Sequence, residues 1–132
     1  FRQMAESLGV ADRCHWQVWF HTPEEVAQVF SAADAAILAY AATFRSASGV
    51  LNVAARYRLP VIASGGDGAL TSAVSEFALG LVIPPDDTPA LAKGIAQLFR
   101  NPMAPNWEGY LQANCWEANA QQVIDAMGLR HG

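Results

Sequence analysis

Charge is scarce in this chain. Only 15% of its 132 residues are Asp, Glu, Lys or Arg, while hydrophobic residues make up 52%. A disordered segment shows the opposite balance, so the chain is expected to fold. Basic residues are the rarer sign, 8 against 12 acidic for a net charge of −4, and they nowhere cluster. Binding a phosphate backbone takes several neighbouring cations, which argues against nucleic acid as a partner. Cysteine is limited to Cys14 and Cys115, far apart and outside any CxxC pattern. They read either as a disulfide or as two buried free thiols, and the second suits a reducing, cytoplasmic setting. Cys14-His15 lacks the further ligands of a tetrahedral zinc site, so no metal is expected. Long apolar runs are also missing. The most apolar stretch, Ala35 to Ala42, is strand-length and follows Asp34, so no membrane span is expected. The first residues, FRQMAESLG, lack the charged-then-apolar order of a signal peptide.

What the chain does have in quantity is alanine, about a fifth of all residues, which favours closely packed helices over an all-β sandwich. The length suits one domain spanning residues 1–132. Phe1 to Leu8 carries apolar groups at helical spacing, with Gly9 placed to end the helix. His15 to Phe20 (HWQVWF) is aromatic and β-branched and predicts a strand. Thr22-Pro23-Glu24-Glu25 predicts a helix start. The Thr22 hydroxyl caps, Pro23 has no N–H to leave unpaired, and Glu25 reaches back. Ala35 to Tyr40 is apolar on both faces, as a buried parallel strand would be. Gly49 to Arg58 predicts a helix, Val61 to Ser64 a third strand, Thr71 to Ala78 a short helix, and Leu81 to Ile83 a fourth strand. Thr88-Pro89 repeats the cap-plus-proline start, and the tail from Asn106 to Met127 is helical. Alternating strands and helices imply an α/β fold, a Rossmann-like doubly wound parallel sheet of about four strands. Four strands are few for such a sheet, and the chain opens on a helix. An excerpt lacking its first strand is therefore the expectation.

Read in order, the segments LGVADR-CHWQVWF, TPEEVAQVFSAADAAILAY, SGVLNVAARYRLPVIAS, GLVIPPDDTPALAKGIAQLF and NCWEANAQQVI resemble one known family. They are similar to the C-terminal, nucleotide-sugar-binding half of a GT-B glycosyltransferase of family 4 (group 1), over about residues 1 to 127. The resemblance implies sugar transfer from a nucleotide-diphosphate sugar to an acceptor, with no cofactor and no obligate metal. It also implies an N-terminal domain of the same protein as partner. On that reading this chain alone is inactive, and the parent enzyme is cytoplasmic or peripheral to a membrane. The chain departs from the family at two glutamates eight positions apart. Aligning Pro60-Val61 with the family's "PV" puts Arg45 at the first and Val53 at the second. In relatives the second glutamate holds ribose hydroxyls and the first lies near the sugar-diphosphate. Their loss supports an alternative, a degenerate non-catalytic GT-B domain acting as a binding or interaction module.

The residues supply their own candidates. Ser46, Ala47, Ser48 and Gly49 lie where a strand's C-terminal loop meets a helix N-terminus, a place that favours phosphate through N–H groups and the helix dipole. Arg45 beside them could pair with a diphosphate through its planar fork, or face solvent while Ser48 merely caps. Gly65 and Gly66 open a GGDG turn after the third strand, either approaching a ligand or simply connecting strand to helix. His21, at the end of the predicted first strand, would sit beside the cleft. Asp86-Asp87 and Glu24-Glu25 read as solvated charges, and His131 belongs to the tail. Part of the set Trp107, Tyr110, Trp116 and Ile124 would lack cover in an isolated half. Self-association as a homodimer through that exposed apolar surface, or through an open sheet edge, is expected.

Overall fold

The computed structural model describes residues 1–101 and 103–128, and His131 lies outside them. Three parallel strands, β1 (Ala36–Ala39), β2 (Val61–Ser64) and β3 (Gly80–Val82), form one sheet in the order β1-β2-β3. The register aligns Ile37 with Ile62 and Leu81, and Leu38 with Ala63 and Val82. Each strand is followed by a helix: α3 (Gly49–Arg56), α4 (Ala69–Glu76) and α5 (Thr88–Arg100). Before the sheet come α1 (Arg2–Ser7), a 3₁₀ turn at Ala11–Arg13 and α2 (Pro23–Ala32). The tail folds as α6 (Trp107–Ala113) and α7 (Trp116–Ala126). The α/β, Rossmann-like reading holds, with three strands where about four were expected.

The missing strand is His15–Phe20. The segment has strand composition, but strand formation needs a ladder partner, and β1 and β3 each pair only with β2 among the described residues. It forms no ladder and bends at Trp19. His15, Gln17 and His21 line a cleft with Val26, Val29 and Phe30 of α2, and Trp19 joins Gln17 and His21 in a neighbouring one. Val18 and Phe20, on the alternate positions, are exposed. His15 and His21 thus border one cleft, but burial does not alternate along the segment, since Gln17 and Trp19 are exposed as well and Trp16 is half-buried.

The core lies mainly on one face of the sheet. Leu38, Val61 and Ala63 pack with Leu51, Ala54 and Ala55 of α3, Leu70 and Val74 of α4, and Trp107 and Tyr110 of α6. The last two are 5% and 4% exposed, so they are covered within this chain and are not the part of the aromatic set left open. The sheet is short and α6 closes over α3, where the Tyr110 hydroxyl donates to Asn52 Oδ1 at 2.6 Å. Burial raises the Tyr110 pKa above its ordinary value. Trp116 does stay exposed, and Ile124 is half-buried. On the opposite face α5 lies over Ile62, Leu81 and Ile83, with Gly94 at the contact. Ile37, on that face but beyond α5, is 50% exposed. Both cysteines are free thiols, half-buried rather than buried.

The start of α2 has the predicted reciprocal cap. Thr22 N–H donates to Glu25 Oε2 at 2.8 Å, and Glu25 N–H donates to Thr22 Oγ1 at 3.3 Å. The Thr22 backbone bond is the main reason the Glu25 carboxyl sits below its ordinary pKa, with Trp19 and His21 adding less. A depressed carboxyl stabilises the fold fully above its unfolded value and loses that contribution as pH falls through the lower folded value. The protection factor of the Thr22 amide, with the intrinsic pH dependence of exchange divided out, should therefore hold above the ordinary glutamate range and fall as pH drops through it towards the lower folded value. Protection lost well above that range would break the assignment. At α5 the cap is Asp87, not Thr88 as predicted: its carboxylate accepts from Ala90 N–H at 2.8 Å.

Candidate functional site

The carboxyl ends of the strands are where an open α/β sheet collects ligands, because loops diverge there and helix N-termini converge. A cleft of about 190 Å³ lies there, on the α5 face, lined by Tyr40, Ser64, Pro84, Asp86, Asp87 and Leu91 over a floor of Ile37 and Ile62. Ser64 ends β2 and locks the mouth. Its Oγ accepts from Tyr40 N–H at 3.1 Å and donates to the Tyr40 carbonyl at 3.0 Å. The Tyr40 ring stacks on Phe44, centroids 4.0 Å apart and 10° from parallel. Its hydroxyl reaches on to Ser48 Oγ at 3.1 Å.

That last bond decides the state of α3. Ser48 has the extended backbone of an N-cap, yet its side chain makes no bond to the helix. The side chain is 3% exposed, and its oxygen is committed to Tyr40. The reading of Ser48 as a simple cap is therefore corrected. The first amides of α3, on Gly49 and Val50, are left without the usual side-chain oxygen, and the helix dipole adds partial positive charge there. A Cβ on Gly49 would meet no other part of the chain within 4 Å, so the helix start is open on that side.

Arg45 and Ser46 are exposed on the same loop. The Arg45 guanidinium donates through Nη1 to the Asp67 carbonyl at 3.1 Å, which ties this loop to the glycine turn. Gly66 N–H donates to the Phe44 carbonyl at 2.9 Å and Ala69 N–H to the Arg45 carbonyl at 3.1 Å. The two loops lie so close that a Cβ on Gly66 would overlap the Ala42 carbonyl, and one on Gly68 the Arg45 carbonyl. At Gly65 the nearest atom would be the Phe44 oxygen, at 3.4 Å. Close approach is thus the reason for glycine at 66 and 68, and the neighbour approached is the chain itself. Thr71 completes the turn, its hydroxyl accepting from Gly68 N–H at 3.3 Å and donating to the Gly66 carbonyl at 3.1 Å.

Arg45, Gly65 and Gly66 are therefore brought together by two interlocked loops after the strand ends, and Ser46, Ser48 and Gly49 follow Arg45 along the first of them. His21 is not with them. It lies on the α2 side, its ring 5.1 Å from that of Trp19 and its Nδ1 3.6 Å from Glu25 Oε2. Its predicted place beside the cleft depended on the strand that does not form. Sequence reasoning missed Tyr40 and Ser64, which looked like ordinary strand residues. It also missed Asp86, which lines the cleft and takes a left-handed backbone at φ 57°. The Pro-Pro-Asp-Asp run after β3 was the available signal. None of the six loop residues lines the cleft on the α5 face, so the strand ends carry two separate features: amides and a guanidinium that attract an anion, and a cleft whose Asp86 and Asp87 carboxylates accept hydroxyl groups. Among the described residues no group of three or more His, Cys, Asp or Glu is placed to hold a metal ion. No helix among them is long and apolar enough to cross a membrane.

A family model described as Glycosyl transferases group 1 matches residues 1–101, from α1 through the end of α5. Comparison with curated proteins and with solved structures gave no match.

Proposed function

The chain belongs to the group 1 glycosyltransferases, and from that membership we propose that it supplies the donor half of a sugar-transfer site, binding a nucleotide-diphosphate sugar. The observation that carries the reading is the start of α3. Its Ser48 side chain is withheld from the cap by Tyr40, so the Gly49 and Val50 amides remain for a diphosphate. Arg45, on the loop that leads into α3, adds a guanidinium held in place by its bond to the Asp67 carbonyl. Asp86, across the strand ends, offers a carboxylate to ribose or sugar hydroxyls. As the glycosidic bond to the leaving diphosphate breaks, charge grows on its oxygens, and fixed amides and a helix dipole stabilise that charge without reorganising. Acceptor binding and proton removal would fall to a companion N-terminal domain, in keeping with the two-domain resemblance.

Gly49→Pro tests this directly. Proline removes one N–H at the first helical position, where it is well tolerated, and Ser48 already has the extended backbone that a residue before proline needs (φ −102°, ψ 122°). The variant should melt no lower than the native chain. It should bind its preferred donor about tenfold more weakly in calorimetric titrations with UDP-, GDP- and ADP-glucose, the cost of one charge-assisted bond. Unchanged affinity would remove α3 from the site. A second reading rests on Arg45 and Val53 at the two glutamate positions, since valine cannot accept a ribose hydroxyl. If none of the three nucleotide sugars binds, the domain is an interaction module and not a donor site.

A further inference from the structure

A second cleft, of about 460 Å³, opens between α3 and the α6–α7 junction, lined by Asn52, Arg56, Asn114, Trp116, Glu117 and Asn119 among others. Trp116 begins α7 and is 87% exposed, so a broad apolar ring face is offered to solvent beside a ring of planar polar groups. Those groups are held by their neighbours. Asn52 Oδ1 is taken by the buried Tyr110 hydroxyl at 2.6 Å, which leaves its amide N–H groups as donors. Asn114 spends Nδ2 on the Tyr110 carbonyl at 2.9 Å and Asn119 spends Nδ2 on the Asn114 carbonyl at 3.4 Å, which leaves both side-chain oxygens as acceptors. Donors therefore come from α3, with Arg56 in support, and acceptors from the α6–α7 side, with Glu117 in support. The guanidinium and carboxylate cancel in charge, which disfavours a strongly anionic ligand.

Paired donors and acceptors around an exposed indole match one ligand chemistry well. Each sugar hydroxyl both gives and takes a hydrogen bond, neighbouring hydroxyls span planar amides, and the C–H face of a pyranose covers an aromatic ring. We propose that this cleft binds a neutral saccharide, its ring stacked on Trp116 and its hydroxyls shared between Asn52 and Asn119. The site is separate from the donor cleft but joined to it by α3. Gly49 opens that helix at one site, and Arg56, about 10 Å along the axis, closes it at the other.

The chain has four tryptophans, so labelling with 5-fluorotryptophan gives four ¹⁹F resonances to follow. Methyl glucoside, methyl mannoside, methyl galactoside and N-acetylglucosamine would each be titrated to about 50 mM, enough to detect millimolar binding. At least one should shift the Trp116 resonance saturably and leave the Trp107 resonance in place. Asn119→Ala, at an exposed helical position, should weaken that sugar about fivefold with an unchanged circular dichroism spectrum. Gly49→Pro should leave it unaffected, which keeps failure here distinct from failure of the donor reading. The proposal is overturned if no sugar moves Trp116 or if Asn119→Ala binds as well as the native chain. It is equally overturned if the Trp116 signal follows protein concentration alone, which would give the surface to a second copy of the chain.

Discussion

Trp107→Ala should lower the unfolding free energy by about 3–5 kcal/mol, the cost of emptying a large buried aromatic site. Trp107 is 5% exposed and packs in the cluster that includes Leu51, Ala55 and Tyr110. Its helix has little freedom to collapse into the void. The residue before it, Asn106, donates its N–H to the Phe77 carbonyl at 2.9 Å, and the Asn106 side chain caps Gly109 N–H at 3.0 Å. Domains commonly have about 5–15 kcal/mol in all, so the loss is roughly a fifth of the total or more. Trp116→Ala, at a residue 87% exposed, should stay within about 0.5 kcal/mol. Urea unfolding followed by circular dichroism separates the two. If they matched, α6 would be an appendage instead of part of the core. The comparison also bears on the family match, which ends at residue 101, before this helix begins.

Where local chemistry decides structure, the sequence was legible. Val61–Ser64 is bounded by Pro60 before and glycine after, and the strand occupies those four residues, all buried. Thr22-Pro23-Glu24-Glu25 could be read as a reciprocal cap because every participant lies within one turn. Helix ends were harder. Both α3 and α4 stop two residues before the predicted end, with Arg58 and Ala78 in left-handed backbone at φ 54° and 52° where glycine would have announced the stop. The strand at His15–Phe20 failed for a different reason. Strand propensity describes a fit to a pleated neighbour, and propensity alone supplies no neighbour.

The site divides along the same line. Loops after strand ends and a helix N-terminus were visible in the order of segments, which brought Arg45, Ser48 and Gly49 forward. What Ser48 does there was not visible, because its partner is the Tyr40 hydroxyl, eight residues back across a loop. Sequence offers the capping residue; only the fold shows that its oxygen is spent elsewhere. Tyr40 and Ser64 were hidden for a related reason, since their bonds to each other span 24 residues. The same long-range pairing gives the loops their rigidity, and so turns a generic helix start into a candidate anion site.

Gly66→Ala should be nearly as damaging as loss of Trp107, and it carries a functional consequence that Trp107→Ala lacks. The added methyl would overlap the Ala42 carbonyl, a backbone atom with no rotamer to move into. Relief requires the 42–45 loop to shift away from the glycine turn, which breaks the Gly66 N–H bond to the Phe44 carbonyl at 2.9 Å. Such overpacking costs about 3 kcal/mol. Gly65→Ala meets the Phe44 oxygen only at 3.4 Å, so it should be nearly neutral, or stabilising by up to about 1 kcal/mol through a stiffer unfolded chain. Moving the loop also moves Tyr40 off its stack with Phe44 and so loosens the Tyr40–Ser48 bond. Ser48 Oγ is then free to turn onto the α3 amides and compete with the diphosphate. Gly66→Ala should therefore lose donor affinity even at temperatures where it remains folded, whereas Gly65→Ala should keep it. Thermal melts and titration with the preferred nucleotide sugar, run on both variants, read the two effects separately. If a folded Gly66→Ala protein bound the donor normally, the loop contact would serve stability alone, and the withheld cap would have no part in binding.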